Sequence, residues 1–148
     1  VGDVFLSSPE GLTSSLDYSL IEVLHSVHQS QNEVQSHEEG KKSLVVRHIG
    51  ERNDSDSKVL AITSRGAIPG ILSGTSMYTR QPHQREFIEV YCVQLGGQLA
   101  AGDCGSWVVD AETGHLYGHI IAGCPGSGAA MVVPFFLIFQ DIECRTNI

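Results

Sequence analysis

Residues 99–123, LAAGDCGSWVVDAETGHLYGHIIAG, decide how the rest of this chain is read. A Gly-Asp-X-Gly-Ser turn opens the stretch, and two short apolar runs follow it, 106–110 and 116–122, separated by the turn-forming DAETG. Runs of this length, rich in β-branched and aromatic residues and joined by an Asp- and Gly-containing bend, read as a β-hairpin. Position X of the opening turn is Cys104. A thiol there is either a nucleophile held clear of the backbone or a small buried residue in a tight turn, because cysteine is among the most buried residue types and Gly-Asp-x-Gly is common in β-turns.

Outward from this hairpin, the chain from residue 44 onward is a succession of short runs rich in Val, Ile, Thr and aromatic residues, broken by Gly, Asn, Asp and Pro. That pattern belongs to an all-β sandwich or barrel. Strands are expected near 44–48, 58–63, 68–74, 87–94, 106–110, 116–122 and 129–133, with ERNDSDS, RQPHQRE and DAETG supplying bends. After Pro134, FFLIFQDIECR sets Phe135, Ile138, Phe139 and Ile142 at helical spacing and predicts a terminal amphipathic helix packed on the barrel. Ahead of residue 29 stands one apolar element, DYSLIEVLHSVH. Its Leu20, Ile21, Val23 and Leu24 face inward as a strand or begin a short helix, and periodicity does not choose between the two. The stretch 29–42, QSQNEVQSHEEGKK, holds one aliphatic residue and reads as an exposed connection.

Composition excludes several classes of function. Nine Lys and Arg against 17 Asp and Glu give a formal net charge of -8, a sign that repels phosphate backbones and anionic lipid, so nucleic acid and membrane are not expected as partners. With 148 residues, 41% hydrophobic and 18% charged, the chain can bury the core of one domain or of two small β modules. No apolar run approaches the roughly 18 to 20 residues that cross a bilayer, and the first residues lack the basic and apolar regions of a signal peptide. Cys92, Cys104, Cys124 and Cys144 stand 12, 20 and 20 positions apart, without the C-x-x-C spacing of a zinc site or a dithiol motif. No metal or other cofactor is expected, and cysteines at this density favour reduced thiols and a cytoplasmic protein. His25 and His28 are spaced i, i+3 but lack a third ligand, and read as solvated surface. The start at Val1 rather than methionine reads as a processed product or an excised segment.

Three tracts, AAGDCGSWVVD, GHLYGHIIAG and GAAMVVPFFLIFQDI, follow one another as the nucleophile turn, the substrate-lining strand, the last strand and the terminal helix do in chymotrypsin-like proteases. The chain resembles the C-terminal barrel of that superfamily, and LDYSLIEV resembles the strand on which the superfamily carries its triad aspartate. More narrowly, residues 16–142 are similar to a group of intracellular filamentous-fungal proteins with a trypsin-like domain, written with serine or cysteine in the nucleophile turn. The resemblance implies an all-β, chymotrypsin-like double β-barrel with the second barrel complete, the first partial, and a C-terminal helix. Residues 1–28 would be a remnant of the first barrel with the aspartate strand, 29–57 a linker and connecting hairpin, and 58–148 the second barrel.

By the same resemblance Cys104 is the nucleophile, Asp17 the triad carboxylate, and the amides of Gly102 and Cys104 the oxyanion hole. Gln98, six residues before the thiol, stands at the base of the specificity pocket, and Ile121, Ala122 and Gly123 run along an extended peptide. The chemistry explains the residue types. Glycines let the chain turn tightly enough to aim N–H groups at a developing oxyanion, and a thiolate is intrinsically more nucleophilic than a hydroxyl. Asp103 is expected to hold the turn by an internal hydrogen bond or ion pair. Trp107 reads as core, and His119, alternating with Ile120, reads as an exposed or packed histidine on the opposite face of its strand.

A triad of this superfamily runs His, Asp, nucleophile along the chain, yet all seven histidines lie at or after position 25. Either the histidine belongs to an upstream segment of the parent chain, which would then be a partner, or catalysis has been lost. Three functions follow: a peptide-bond hydrolase (endopeptidase) working through Cys104 on a peptide or protein substrate; a catalytically inactive protease-like module that binds peptide or protein; or a structural β domain with an unreactive, buried Cys104.

Overall fold

In SKVLAIT every second residue turns inward: Val59 and Ala61 are fully buried and Thr63 nearly so, which fixes Ser57–Thr63 as a strand with one face on a core. The same alternation recurs down the chain. A computed structural model describes residues 3–7, 16–23, 31–34, 43–80, 82 and 85–146; Leu24, His25 and His28 lie outside them. The elements are β1 (Val4–Ser7), β2 (Ser19–Ile21), β3 (Glu33–Val34), β4 (Leu44–Val45), β5 (Ser57–Thr63), β6 (Gly66–Thr79), β7 (Ile88–Leu95), β8 (Trp107–Asp110), β9 (Leu116–Gly123), β10 (Ala129–Pro134) and α1 (Phe135–Thr146).

Six strands close an antiparallel barrel in the order β10-β7-β6-β5-β8-β9, with β9 pairing back onto β10. The fold is all-β with a terminal helix, as its sequence indicates. Closure removes the free edges that an open sheet would expose. The barrel is filled by Val59, Leu72, Tyr91, Val93, Val108, Ile120 and Val132, all at most 3% exposed. A second apolar cluster lies on the outer wall, where Val90, Val133 and Ile138 are buried together with Leu16, Tyr18, Ile121, Phe135 and Ile142 packed against them. The helix and residues 16–18 therefore cover one side of the barrel. Tyr18 donates a hydrogen bond to Asp141, and Arg145 donates to the Tyr18 hydroxyl at 3.2 Å and to the Ser7 carbonyl at 2.7 Å, so both front strands are tied to α1. Burial and the Asp141 hydrogen bond together hold the Tyr18 phenol above its usual pKa.

Four expectations need correction. Phe139 is exposed, and Phe136 instead packs against the barrel interior. Trp107 is half-buried and belongs to neither cluster, because it pairs with His119 and so shares the outer face of the wall. Ile21 and Val23 are exposed rather than turned inward, since β1 and β2 form a two-stranded ribbon with no described layer beneath them. Glu33 and Val34, inside the tract read as a connection, form the small β3–β4 ribbon.

The two packing regions should respond differently to substitution. Leu72→Ala empties a fully buried site and should cost about 3 kcal/mol in urea denaturation. Tyr18→Phe removes only hydrogen bonds at the periphery and should cost about 1 kcal/mol. Equal costs would mean that the front segment is as integral to the fold as the barrel interior.

Candidate functional site

The loop between β7 and β8 is ordered by one carboxylate. Asp103, 2% exposed, accepts the Ala100 amide and the Arg65 guanidinium on the same oxygen, each at 2.7 Å. Arg65, from the β5–β6 turn, also donates to the Gln98 carbonyl at 3.1 Å. The Ala100 amide first, and the Arg65 hydrogen bond second, lower the pKa of Asp103 below the usual carboxylate value and keep it ionised. This is the internal clamp expected of Asp103.

On either side of Cys104 the backbone is left-handed, with φ of +94° at Gly102 and +89° at Gly105. Side chains rarely adopt this region, which is why glycine stands at both positions. The Gly105 amide donates to the Ile120 carbonyl at 2.7 Å and the Asp103 amide to the Ala100 carbonyl at 3.1 Å. Among the described residues, the amides of Gly102 and Cys104 have no protein acceptor. Cys104 itself is exposed, its Sγ 3.6 Å from the Ile121 carbonyl oxygen.

The strand beside the thiol has a free edge. On the β8 side the pairing of β9 ends at Ile120, whose amide donates to Ser106 and whose carbonyl accepts from Gly105. On the β10 side it continues through Met131↔Ala122 and Ala130↔Gly123, with Ile121 the extra residue of a bulge. Among the described residues, the β8-facing edge of Ile121, Ala122 and Gly123 is thus unpaired and runs away from Cys104. Ala122 and Gly123 also border an apolar cavity of about 600 Å³ on the outer wall, lined further by Ile71, Met77, Cys92, Pro125 and Met131. Gln98 is exposed, is turned to Arg65 through its carbonyl, and does not line this cavity.

Asp17 is exposed, between Leu16 and Tyr18, which pack on the outer cluster, and its charge acts on His119. His119 is 8% exposed and opposite Ile120, a packed histidine, and its Nε2 is buried without a hydrogen-bond partner among the described residues. Burial depresses its pKa, and the negative charge of Asp17 partly offsets that. The juxtaposition of Asp17 and His119 is not legible from sequence, because 102 positions separate them and only the docking of residues 16–18 joins them. Among the described residues, no histidine is hydrogen-bonded to Cys104, no group of three or more His, Cys, Asp or Glu is placed to hold a metal, and no helix is long and apolar enough to cross a membrane.

Comparison of the chain with protein-family models, with curated proteins and with solved structures finds no match. The site is therefore read from its own chemistry.

His119 sets an acid limit on stability. Its imidazole is held neutral in the fold and charges more readily in the unfolded chain, so its contribution is intact above the ordinary value of 6.5 and is lost as pH falls below it. The urea midpoint should drop between about pH 7.5 and about pH 5.5, and His119→Leu should flatten that slope. An unchanged slope in the variant would assign the acid sensitivity to other groups.

Proposed function

We propose that this chain carries the nucleophile half of a peptide-bond hydrolase with a chymotrypsin-like architecture, and that Cys104 forms the acyl-enzyme. The observation that carries the reading is the exposed thiol between two left-handed glycines, with the amides of Gly102 and Cys104 free to receive an oxyanion. An extended peptide adds to the free edge Ile121–Gly123, which brings its carbonyl to the Sγ beside Ile121. The Cys104 thiolate attacks that carbon and a C–S bond forms. The C–N bond then breaks as the amine leaves with a proton, and water later hydrolyses the thioester.

Both proton transfers require a base, which the described residues do not put beside the thiol. In this reading the base belongs to a first barrel of which β1, β2 and the Asp17 segment are one part. The apolar residues that the β1–β2 ribbon leaves in solvent, Val4, Phe5 and Ile21, support a complement for it outside the described residues. The charge of -8 and the reduced, unpaired Cys92, Cys104, Cys124 and Cys144 fit a cytoplasmic protein acting on peptide or protein rather than on nucleic acid.

An activated ester bypasses the missing base at the acylation step. Incubated with an N-acyl peptide p-nitrophenyl ester, the chain should form a thioester on Cys104 at least about tenfold faster than on the other exposed thiols, Cys124 and Cys144, as read by peptide mass mapping. Added imidazole should then speed release of the acyl group from wild type beyond its background with Cys104→Ala. Acylation spread evenly over the three thiols overturns the hydrolase reading, and peptide binding retained without acylation leaves the inactive binding module in its place.

A further inference from the structure

Resting on the reading of Cys104 as the nucleophile, we propose that the site selects an extended peptide with glycine or alanine at the residue whose carbonyl meets the thiol and a bulky apolar residue about two or three positions toward its amino end. Leu99 is the residue that enforces the first preference. Its side chain crosses from the arm leading into the nucleophile turn to the free edge of β9, so that a Cβ placed on Gly123 would lie 2.7 Å from the Leu99 Cδ1. Leu99 is half-buried and packs against the barrel's interior cluster, filling the space between the turn and the edge. A side chain entering beside the thiol would have to occupy that volume.

The plug is fixed from both flanks. The residue before it is held through the Gln98 carbonyl by Arg65, and the residue after it through the Ala100 amide by Asp103, which is itself bonded to Arg65. Shifting the backbone that carries Leu99 means breaking hydrogen bonds to the exposed Arg65 and the buried Asp103, so the arm resists displacement. The closed volume is thus a property of the same clamp that shapes the turn.

Beyond Gly123 the surface reverses character. The edge residues Ala122 and Gly123 open onto the cavity of about 600 Å³, whose wall of Ile71, Met77, Cys92, Pro125 and Met131 is apolar and rich in sulfur. Flexible thioethers adapt to irregular apolar side chains, and a cavity of this size and lining gains its free energy from hydrophobic burial. An antiparallel strand on β9 runs from Gly123 toward Ile121, so its amino-terminal residues are the ones that reach the cavity. Successive side chains alternate direction, and the plug and the cavity impose opposite size demands along one short peptide.

The test uses three peptidyl vinyl sulfones, with Leu-Ala-Gly, Leu-Ala-Phe and Gly-Ala-Gly sequences, and follows conjugate addition to Cys104 by mass spectrometry. The Leu-Ala-Gly probe should label Cys104 at least about tenfold faster than either of the others. Leu99→Ala should raise the rate of the Phe probe relative to that of Leu-Ala-Gly by about tenfold or more. Ile71→Ser, at an exposed position that tolerates polarity, should remove the advantage of Leu over Gly upstream and does not depend on the fold accepting a change at Leu99. Selective labelling in which Phe reacts as fast as Gly, or in which upstream Leu brings no gain, overturns this inference while leaving the nucleophile intact. Labelling of Cys104 by every probe at the rate of the unfolded chain overturns the nucleophile reading and this inference with it.

Discussion

Strand β9 pairs with β8 along its first half and with β10 along its second, and the two ladders do not end at the same residue. The first pairing and the second together close the barrel; the mismatch between them leaves Ala122 and Gly123 paired with β10 only and Ile121 as the unpaired residue of a bulge. The bulge at Ile121 belongs to the same constraint. It lets the carbonyl of Ile121 face the Cys104 thiol while Ile120 stays in the barrel and Ile121 joins the outer cluster. A site beside an edge strand is thus a by-product of how the barrel is closed.

The second organising element is the Arg65–Asp103 pair. Burying a carboxylate is costly unless it is bonded, and here one oxygen receives both a guanidinium and a backbone amide. The pair joins the β5–β6 turn to the loop before β8, two parts of the barrel rim that share no strand pairing. It fixes the arm that carries Leu99 and the turn that carries Cys104 as one unit. The geometry of the thiol and the closure of the space beside it therefore stand or fall together.

The front of the chain is held more loosely. Its anchors are Leu16 and Tyr18 on the outer cluster and the Tyr18–Asp141–Arg145 contacts with α1, whereas β1 and β2 expose apolar side chains on a two-stranded ribbon. His119 lies under this cover with its Nε2 unsatisfied and Asp17 nearby. An unpaired buried nitrogen is expensive in a closed core.

Much of the barrel is legible in the residues themselves. Alternation in SKVLAIT and IEVYCVQL, the Asp- and Gly-rich bend before Leu116 and the apolar spacing after Pro134 place β5, β7, the β8–β9 hairpin and α1 within a residue or two, because each signal is local and set by backbone chemistry. The glycines and Asp103 of the turn around Cys104 are legible for the same reason. The fate of Trp107, the exposure of Ile21 and Val23, the packing of Phe136 in preference to Phe139, the reach of Leu99 to Gly123 and the approach of Asp17 to His119 are not. Each depends on which element comes to lie against which face, and hydrophobicity along a strand says that a side chain is apolar without saying what covers it. Sequence determined the elements and the residue types of the turn; tertiary structure decided which faces are covered and that Leu99 lies against Gly123, since both arise from contacts between residues far apart in the chain.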